Sequence, residues 1–251
     1  MLAALLNPML PTLAVTTAIL AFERWRGAPP TDWRINLQSW AAQLFIAITL
    51  LPLLPVWRGA SLIDGARLPF WAGFPILLLV RDFGEYIFHR AQHRVPLLWA
   101  MHSLHHSDPE MAVLTTQRHF WGDQLVKQVT IWSAVVMIIR PTPALLGAYG
   151  VVSLWNLMSH ADLRLDFGRW SWLINSPAYH RRHHSMLPEH YDSNFAALFP
   201  IFDVIFGSYY RPDGFPPTGQ DHAPRNFVEM VAWPWLVGRS ATVPTEAAQT
   251  A

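Results

Sequence analysis

The chain has no cysteine, which excludes thiolate zinc sites, iron–sulfur clusters and disulfide chemistry together. Charge is scarce as well. Only 14% of the 251 residues are Asp, Glu, Lys or Arg, against roughly 25% in an ordinary soluble domain. No Gly-x-Gly-x-x-Gly and no phosphate loop occur, so nicotinamide, flavin and ATP are not bound by those devices. The His-Glu-x-x-His of zinc proteases and the Glu-x-x-His of soluble di-iron helices are missing too. The formal net charge is +1, and no nucleic-acid partner is expected.

Apolar and aromatic residues are plentiful instead. They make up 52% of the chain, with 13 Trp and 14 Phe, and the mean hydropathy is positive. This composition predicts an all-α, integral-membrane helical protein. Residues 1–22 form an apolar run with no basic stretch before it and no small-residue cleavage pattern after it, so they read as a span rather than a signal peptide. Further runs cover 37–57, 68–88, 126–139 and 143–158, the last two reading as a hairpin around Arg140-Pro141. Four or five hydrophobic segments are therefore expected, with a helical cap beside them. Beyond residue 212 the chain reads as an irregular tail, interrupted by 227–237, a stretch suited to a membrane surface. The expected division is N-terminal spans over 1–67, a catalytic region over 68–212 and a tail over 213–251.

The basic residues orient these segments. If the first span ends inside and the chain then alternates, Arg58, Arg67 and Arg140 lie outside and Arg81 falls within a span. The other fourteen of the 18 Lys and Arg lie inside, as the positive-inside rule requires. The protein is thus expected in the inner, cytoplasmic membrane with its polar cap facing the cytoplasm.

That cap holds an unusual set of side chains. Nine of the 12 histidines are His89, His93, His102, His105, His106, His160, His180, His183 and His184. Eight fall in three runs, one His-x-x-x-His and two His-x-x-His-His, which put imidazoles on one helix face. Crowding titratable rings in this way costs desolvation and mutual repulsion that packing alone does not explain. The set reads as one polynuclear metal site. Eight or nine imidazoles are too many for one zinc, which takes four ligands when structural and three when catalytic. Four or five nitrogens on each of two metals fit the count, and imidazole suits Fe, Zn, Cu or Ni. Two redox metals at a membrane surface point to attack by O2 on a lipid C–H bond. His119 and His190 are candidates to support the site, whereas His222 stands alone in the tail. Arg81, Asp82 and Glu85 precede His89 by one to two turns. They are read both as an Arg81–Glu85 ion pair and as carboxylates orienting histidine rings through the N–H away from the metal.

The residues around the histidines carry a resemblance. Arg81-Asp82-Phe83, Tyr86 and His89-Arg90 look like the first box of the fatty acid hydroxylase and sterol desaturase superfamily, whose members are integral-membrane di-iron oxygenases. Leu98-Trp99 with Met101-His102-Ser103-Leu104-His105-His106-Ser107 resembles the second box. Ser176-Pro177-Ala178-Tyr179-His180-Arg181-Arg182-His183-His184-Ser185 resembles the third. Asp192-Ser193-Asn194-Phe195 and Asp203-Val204-Ile205-Phe206-Gly207-Ser208-Tyr209 look like the closing segment, so the likeness runs over about residues 75 to 212. One departure is clear. Where some members carry a further histidine pair before the last box, this chain has Asn156 and His160.

The resemblance implies two iron ions held by the nine histidines, with Asp82, Glu85 and Asn156 nearby in support. It implies O2 and a lipid as substrates, oxidised by hydroxylation or desaturation within membrane lipids. No reductase or cytochrome b5-like module is recognisable in the sequence, so electrons are expected from a separate donor, a ferredoxin or cytochrome b5-like protein with its reductase. A carotenoid or other isoprenoid ring oxygenase is the near alternative. A membrane metal transporter would place ionisable ligands along its spans, and a metal-dependent hydrolase would need no electron donor.

Overall fold

The computed structural model describes residues 2–29, 32–54 and 59–237, and its regular structure is almost entirely helical. Two helices open the chain, α1 (Leu2–Trp25) and α2 (Trp33–Thr49). A two-residue strand β1 (Ile63–Asp64) precedes α3 (Phe70–Arg94), and α4 (Pro96–His106) follows at once. Next come α5 (Asp123–Lys127), a π-helical turn (Gln128–Trp132), α6 (Ser133–Ile138) and β2 (Ile139–Arg140), which pairs in parallel with β1. α7 (Pro143–Ser153) and α8 (Trp155–His160) return from there. α9 (Pro177–His183), α10 (Ile201–Phe206), α11 (Phe227–Val231) and α12 (Trp233–Val237) are short and joined by irregular chain.

The helical class expected from the sequence forms. Among the described residues, no helix is long and apolar enough to cross a membrane. α2 stops after 17 residues, and Pro52, which has no N–H to continue the α-helical ladder, sits in the short 3-10 turn Leu51–Leu53 that follows. α3 has 25 residues but carries Arg81, Asp82, Glu85, Arg90 and two histidines. The run 126–139 is divided among α5, the π-helical turn and α6, and the run 143–158 between α7 and α8. Residues 55–57, which close the second expected span, and Arg58 after them lie outside the described residues, as do residues 238–251 of the expected tail with Arg239.

The corner between α3 and α4 brings the first two histidine runs together. A helical residue before proline clashes with the pyrrolidine ring, and Val95 accordingly adopts φ −96°, ψ 116°. Pro96 then opens α4, where its missing N–H and fixed φ carry no penalty. The last turns of α3 and α4 end up side by side. α9 starts in a similar way, with Pro177 in its first turn and the Ser176 hydroxyl accepting from the Tyr179 N–H at 3.2 Å, a cap worth about 1 kcal/mol.

Apolar clusters hold these helices around the histidines. Ile35, Met101, Leu104, Phe120, Met230 and Trp233 join α2, α4, α11 and α12. Leu77, Phe88, Ile131, Val135, Ile139 and Leu145 pack α3 against the hairpin. Each such side chain contributes about 1.5–3 kcal/mol when fully buried. Glu23 at the end of α1 is also buried, and its Oε1 accepts from the N–H groups of Val113 at 2.9 Å and Asp162 at 2.7 Å. The 227–237 segment is two-sided. Met230 and Trp233 are buried, the Trp233 Nε1–H donating to Ser103 Oγ at 2.9 Å, while Val228 and Trp235 are exposed. The start of the tail is irregular yet packed, with Arg181 Nε donating to the Pro216 carbonyl at 2.9 Å and Ser185 bridging Thr218.

Candidate metal centre

All nine histidines converge, in two sets. His89, His93, His102, His106 and His183 form a set of five, and His105, His160, His180 and His184 a set of four, with ligand atoms within 4.8 Å of one another in each. The division follows from helix geometry. In α4, His102 and His106 are four residues apart, share a face and join the five, while His105 on the next face joins the four. The third run does the reverse: His180 and His184 go to the four and His183 to the five. His89 and His93, one turn apart on α3, complete the five, and His160 at the end of α8 completes the four. The sets touch where the His106 and His184 rings stack at 4.3 Å.

Backbone carbonyls fix the tautomers. A carbonyl only accepts, so a ring nitrogen facing one carries the proton. His89 Nδ1 donates to Phe195 O at 2.7 Å, His183 Nδ1 to Ser193 O at 2.8 Å and His160 Nδ1 to Asn156 O at 2.7 Å. His105 Nδ1 donates to Arg118 O at 3.3 Å. Each of these rings therefore presents a bare Nε2. His105 Nε2 and His160 Nε2 lie 3.0 Å apart, two lone pairs facing each other with no proton available to share. A cation resolves that repulsion, and nitrogens about 2.1 Å from one ion lie about this far from each other. Buried Nε2 atoms of His93, His183 and His184 also have no protein partner. The donor set fits metal ions.

Burial keeps the rings neutral. It drives His89 down to about 4 and His160 down to about 3, the carbonyl bonds of each opposing the shift only in part. The other seven are pushed well below the usual imidazole value, first by burial and then by neighbouring histidines. A neutral ring is the metal-binding form.

The supporting residues differ from those expected. Asp82 accepts from the backbone N–H groups of Leu198 at 2.9 Å and Phe199 at 2.8 Å. Glu85 pairs with Arg81, the ion pair the spacing predicts, and with Lys127 at 3.3 Å. The role of ring-orienting acceptor, expected of these carboxylates, falls instead to carbonyls. Asn156 acts through its backbone oxygen, and its side chain faces a cavity. Asp82 works at one remove, together with Asp203. Buried Asp203 accepts from the Phe195 and Ala196 N–H groups, Ser208 Oγ and the Tyr179 hydroxyl. The two aspartates clamp residues 195–199 from both ends, and the Phe195 carbonyl they fix is the one that orients His89.

A carboxylate that pattern reading missed is Asp123 at the start of α5. It is 1% exposed, and neither oxygen has a hydrogen-bond partner. His119 Nδ1 stands 3.4 Å away, and His102, His119 and Asp123 group within 4.8 Å. His102 Nδ1 is buried and unpartnered as well. The His119 ring stacks on His105 at 4.1 Å. His190 meets Ser185 Oγ at 2.9 Å, next to His184. His222 is exposed but not isolated: it lines a cavity of about 230 Å³ with His93, His106 and His183. A larger cavity of about 310 Å³ touches both sets, through His89 and His102 of the five and His105, His160 and His180 of the four.

A sequence model of the fatty acid hydroxylase family matches residues 74–208, just over half of the chain. The alkylglycerol monooxygenase of Xenopus tropicalis is 29% identical over 198 residues, covering 74% of this chain and 42% of its own length. The human alkylglycerol monooxygenase is 31% identical over 176 residues, covering 66% of this chain and 36% of its own. The ornithine lipid hydroxylase OlsE of Rhizobium tropici is 28% identical over 135 residues, 54% of this chain and 41% of its own. The chain thus spans less than half the length of these curated relatives. No solved structure matches.

Proposed function

The chain belongs to the fatty acid hydroxylase family, and from that membership we propose that the protein is a membrane-held di-iron oxygenase that hydroxylates or desaturates a lipid. The observation that carries this reading is the division of nine buried, neutral imidazoles into sets of five and four that open onto one cavity. His89, His93, His102, His106 and His183 would hold one iron, and His105, His160, His180 and His184 the other. Bound iron supplies the redox chemistry that cleaves O2 and oxidises an unactivated carbon. In hydroxylation a C–H bond, O2, two electrons and two protons become a C–OH bond and water. A separate carrier of ferredoxin or cytochrome b5 type, with its reductase, delivers the electrons.

The residues of the chain prepare the site for that chemistry. The carbonyls of Phe195, Ser193, Arg118 and Asn156 hold ring protons on Nδ1 and leave Nε2 for the metal. Low ring pKa values remove the proton as a competitor for the lone pairs. Enclosure of the rings, eight of them buried and His89 half-buried, restricts water around the reacting carbon. Exposed apolar side chains such as Leu10, Phe45, Trp71 and Val151 anchor the molecule in lipid, with the histidine side toward the cytoplasm, where the basic residues concentrate. A relative named as a lipid hydroxylase supports a lipid over a carotenoid ring as substrate.

The test is turnover by iron-loaded, chemically reduced protein under isotopically labelled oxygen gas, with membrane lipid extract as substrate. A hydroxylated lipid carrying one labelled oxygen atom, absent when zinc replaces iron, is expected. Full activity with zinc, or label arriving from water, would refute the reading.

A further inference from the structure

Helix α2 carries its polar residues on the inner side. Leu37, Phe45 and Ile48 are exposed, while Asn36, Ser39 and Gln43 are buried. A surface helix of a globular protein turns its apolar stripe inward, and buried polar groups are costly unless each finds a partner. Here each one does. Their spacing puts the three on one helix face, and the partners all lie in the stretch from Asp108 to His119. The Ser39 hydroxyl donates to the His119 carbonyl and accepts from the His119 N–H at 2.9 Å. Gln43 Nε2 donates to the Gln117 carbonyl at 2.8 Å. Asn36 donates to Asp108 Oδ2 at 3.2 Å and accepts from Arg118 Nη1 at 3.3 Å.

Glu23 of α1 acts on the same stretch. Its Oε1 holds the N–H of Val113, the first residue of the 3-10 turn Val113–Gln117, and that of Asp162, just beyond His160. Thr116 in that turn donates its hydroxyl to the Asn156 carbonyl at 3.4 Å. The two carbonyls that orient His105 and His160 are those of Arg118 and Asn156, so both rest on residues 113–119. Both rings belong to the four-histidine set. The carbonyls that orient His89 and His183 of the five belong to Phe195 and Ser193, beside the stretch that Asp82 and Asp203 hold. Those residues fall within the span 74–208 matched by the family model, whereas α1 and α2 stand ahead of it.

Resting on the metal centre of the oxygenase reading, we propose that α1 and α2 frame the four-histidine site and not the five. Ser39, Gln43 and Glu23 are its positioning residues. Ser39 and Gln43 hold the residues on either side of Arg118 and so fix the carbonyl that orients His105. Glu23 fixes the turn that supports the Asn156 carbonyl and the chain that leaves His160. The five-histidine site takes its ring-orienting carbonyls from the later loop and is independent of these contacts.

Zinc affinities of the two sites, measured in the whole chain by competition with a chelator, test the proposal. The four-histidine site is identified as the one that His160→Ala removes. Ser39→Ala combined with Gln43→Leu, and separately Glu23→Leu, should weaken that site by about tenfold, the low end of what partners of metal-bound imidazoles contribute. The five-histidine affinity should stay unchanged. Glu23→Gln keeps an oxygen able to accept from both N–H groups and should restore tight binding. Ile35→Ala empties a buried apolar position on α2, so it lowers stability without removing a polar contact, and both affinities should survive it. Equal weakening of both sites, the same selective loss in Ile35→Ala, or an unaltered four-histidine affinity in folded Ser39→Ala/Gln43→Leu protein would overturn the proposal alone. Zinc bound at neither set in the unmodified chain would refute the metal centre, and the proposal with it.

Discussion

His105 Nε2 and His160 Nε2 face each other at 3.0 Å while each ring donates its Nδ1–H to a backbone carbonyl. Neither nitrogen has a proton to offer the other, and a cation between them relieves the repulsion of the two lone pairs. His160 is therefore expected to be a ligand rather than a hydrogen-bond donor. His160→Ala should retain the metal of the five-histidine set and lose the other, halving metal per chain in elemental analysis. His160→Gln at full occupancy and near-normal turnover would remove His160 from the site.

Acid should unfold the metal-free protein early. An unfolded histidine titrates near 6.5, whereas burial holds folded His89 down to about 4 and His160 down to about 3. Below pH 6.5 the unfolded chain binds protons that the folded chain refuses, so the stability these rings contribute is whole above that value and is lost as pH falls toward 4 and 3. The cost is about 1.4 kcal/mol per ring per pH unit within the window. With nine such rings, thermal unfolding of apo protein should show a steep loss of stability just below pH 6.5. A flat profile from pH 7 to 5 would mean the rings are not buried neutral.

Asp123 is expected to steady His102 and His119, its neighbours in the third cluster. Carboxylates that orient metal-bound imidazoles typically account for 10–100-fold in metal affinity. Asp123→Asn should weaken the five-histidine site by about that factor in a competition titration with a chelator. Unchanged affinity in well-folded protein would leave Asp123 without a role at the centre.

Asp203→Ala should destabilise the fold as well as the site. It removes four hydrogen bonds to a buried carboxylate, each worth about 1.5–3 kcal/mol when the acceptor is charged. Chemical denaturation should register a loss of at least about 3 kcal/mol. A loss under about 1 kcal/mol would show that the 193–196 loop is held by other contacts.

That histidines of one run share a helix face was legible in the sequence because helix periodicity is written in spacing, as for residues 102 and 106 or 180 and 184, whereas which ring joins which set emerges only from the fold. The groups that orient those rings were not legible. They are carbonyls of Phe195, Ser193, Arg118 and Asn156, and a backbone oxygen has no signature in residue identity. Asp82 and Glu85 attracted attention through proximity in sequence to His89, yet the fold turns one toward Leu198 and Phe199 and the other toward Arg81 and Lys127. Asp123 joins the centre only because the loop ahead of α5 lays His119 over His105, a tertiary event. Hydropathy located the apolar stretches but not the breaks within them, such as the turn after α2 or the π-helical turn before α6. His222 looked isolated in a proline-rich stretch because the packing of that stretch over α9 is set by contacts such as Arg181 with Pro216.

Nine histidines are expected to form two adjacent metal sites, five ligands in one and four in the other. Anomalous X-ray scattering from crystals of iron-loaded protein, collected at the iron edge, tests it most directly. Two peaks per chain are expected, one among His89, His93, His102, His106 and His183 and one among His105, His160, His180 and His184. A single peak at full occupancy, or a second peak away from the four-histidine set, would contradict it.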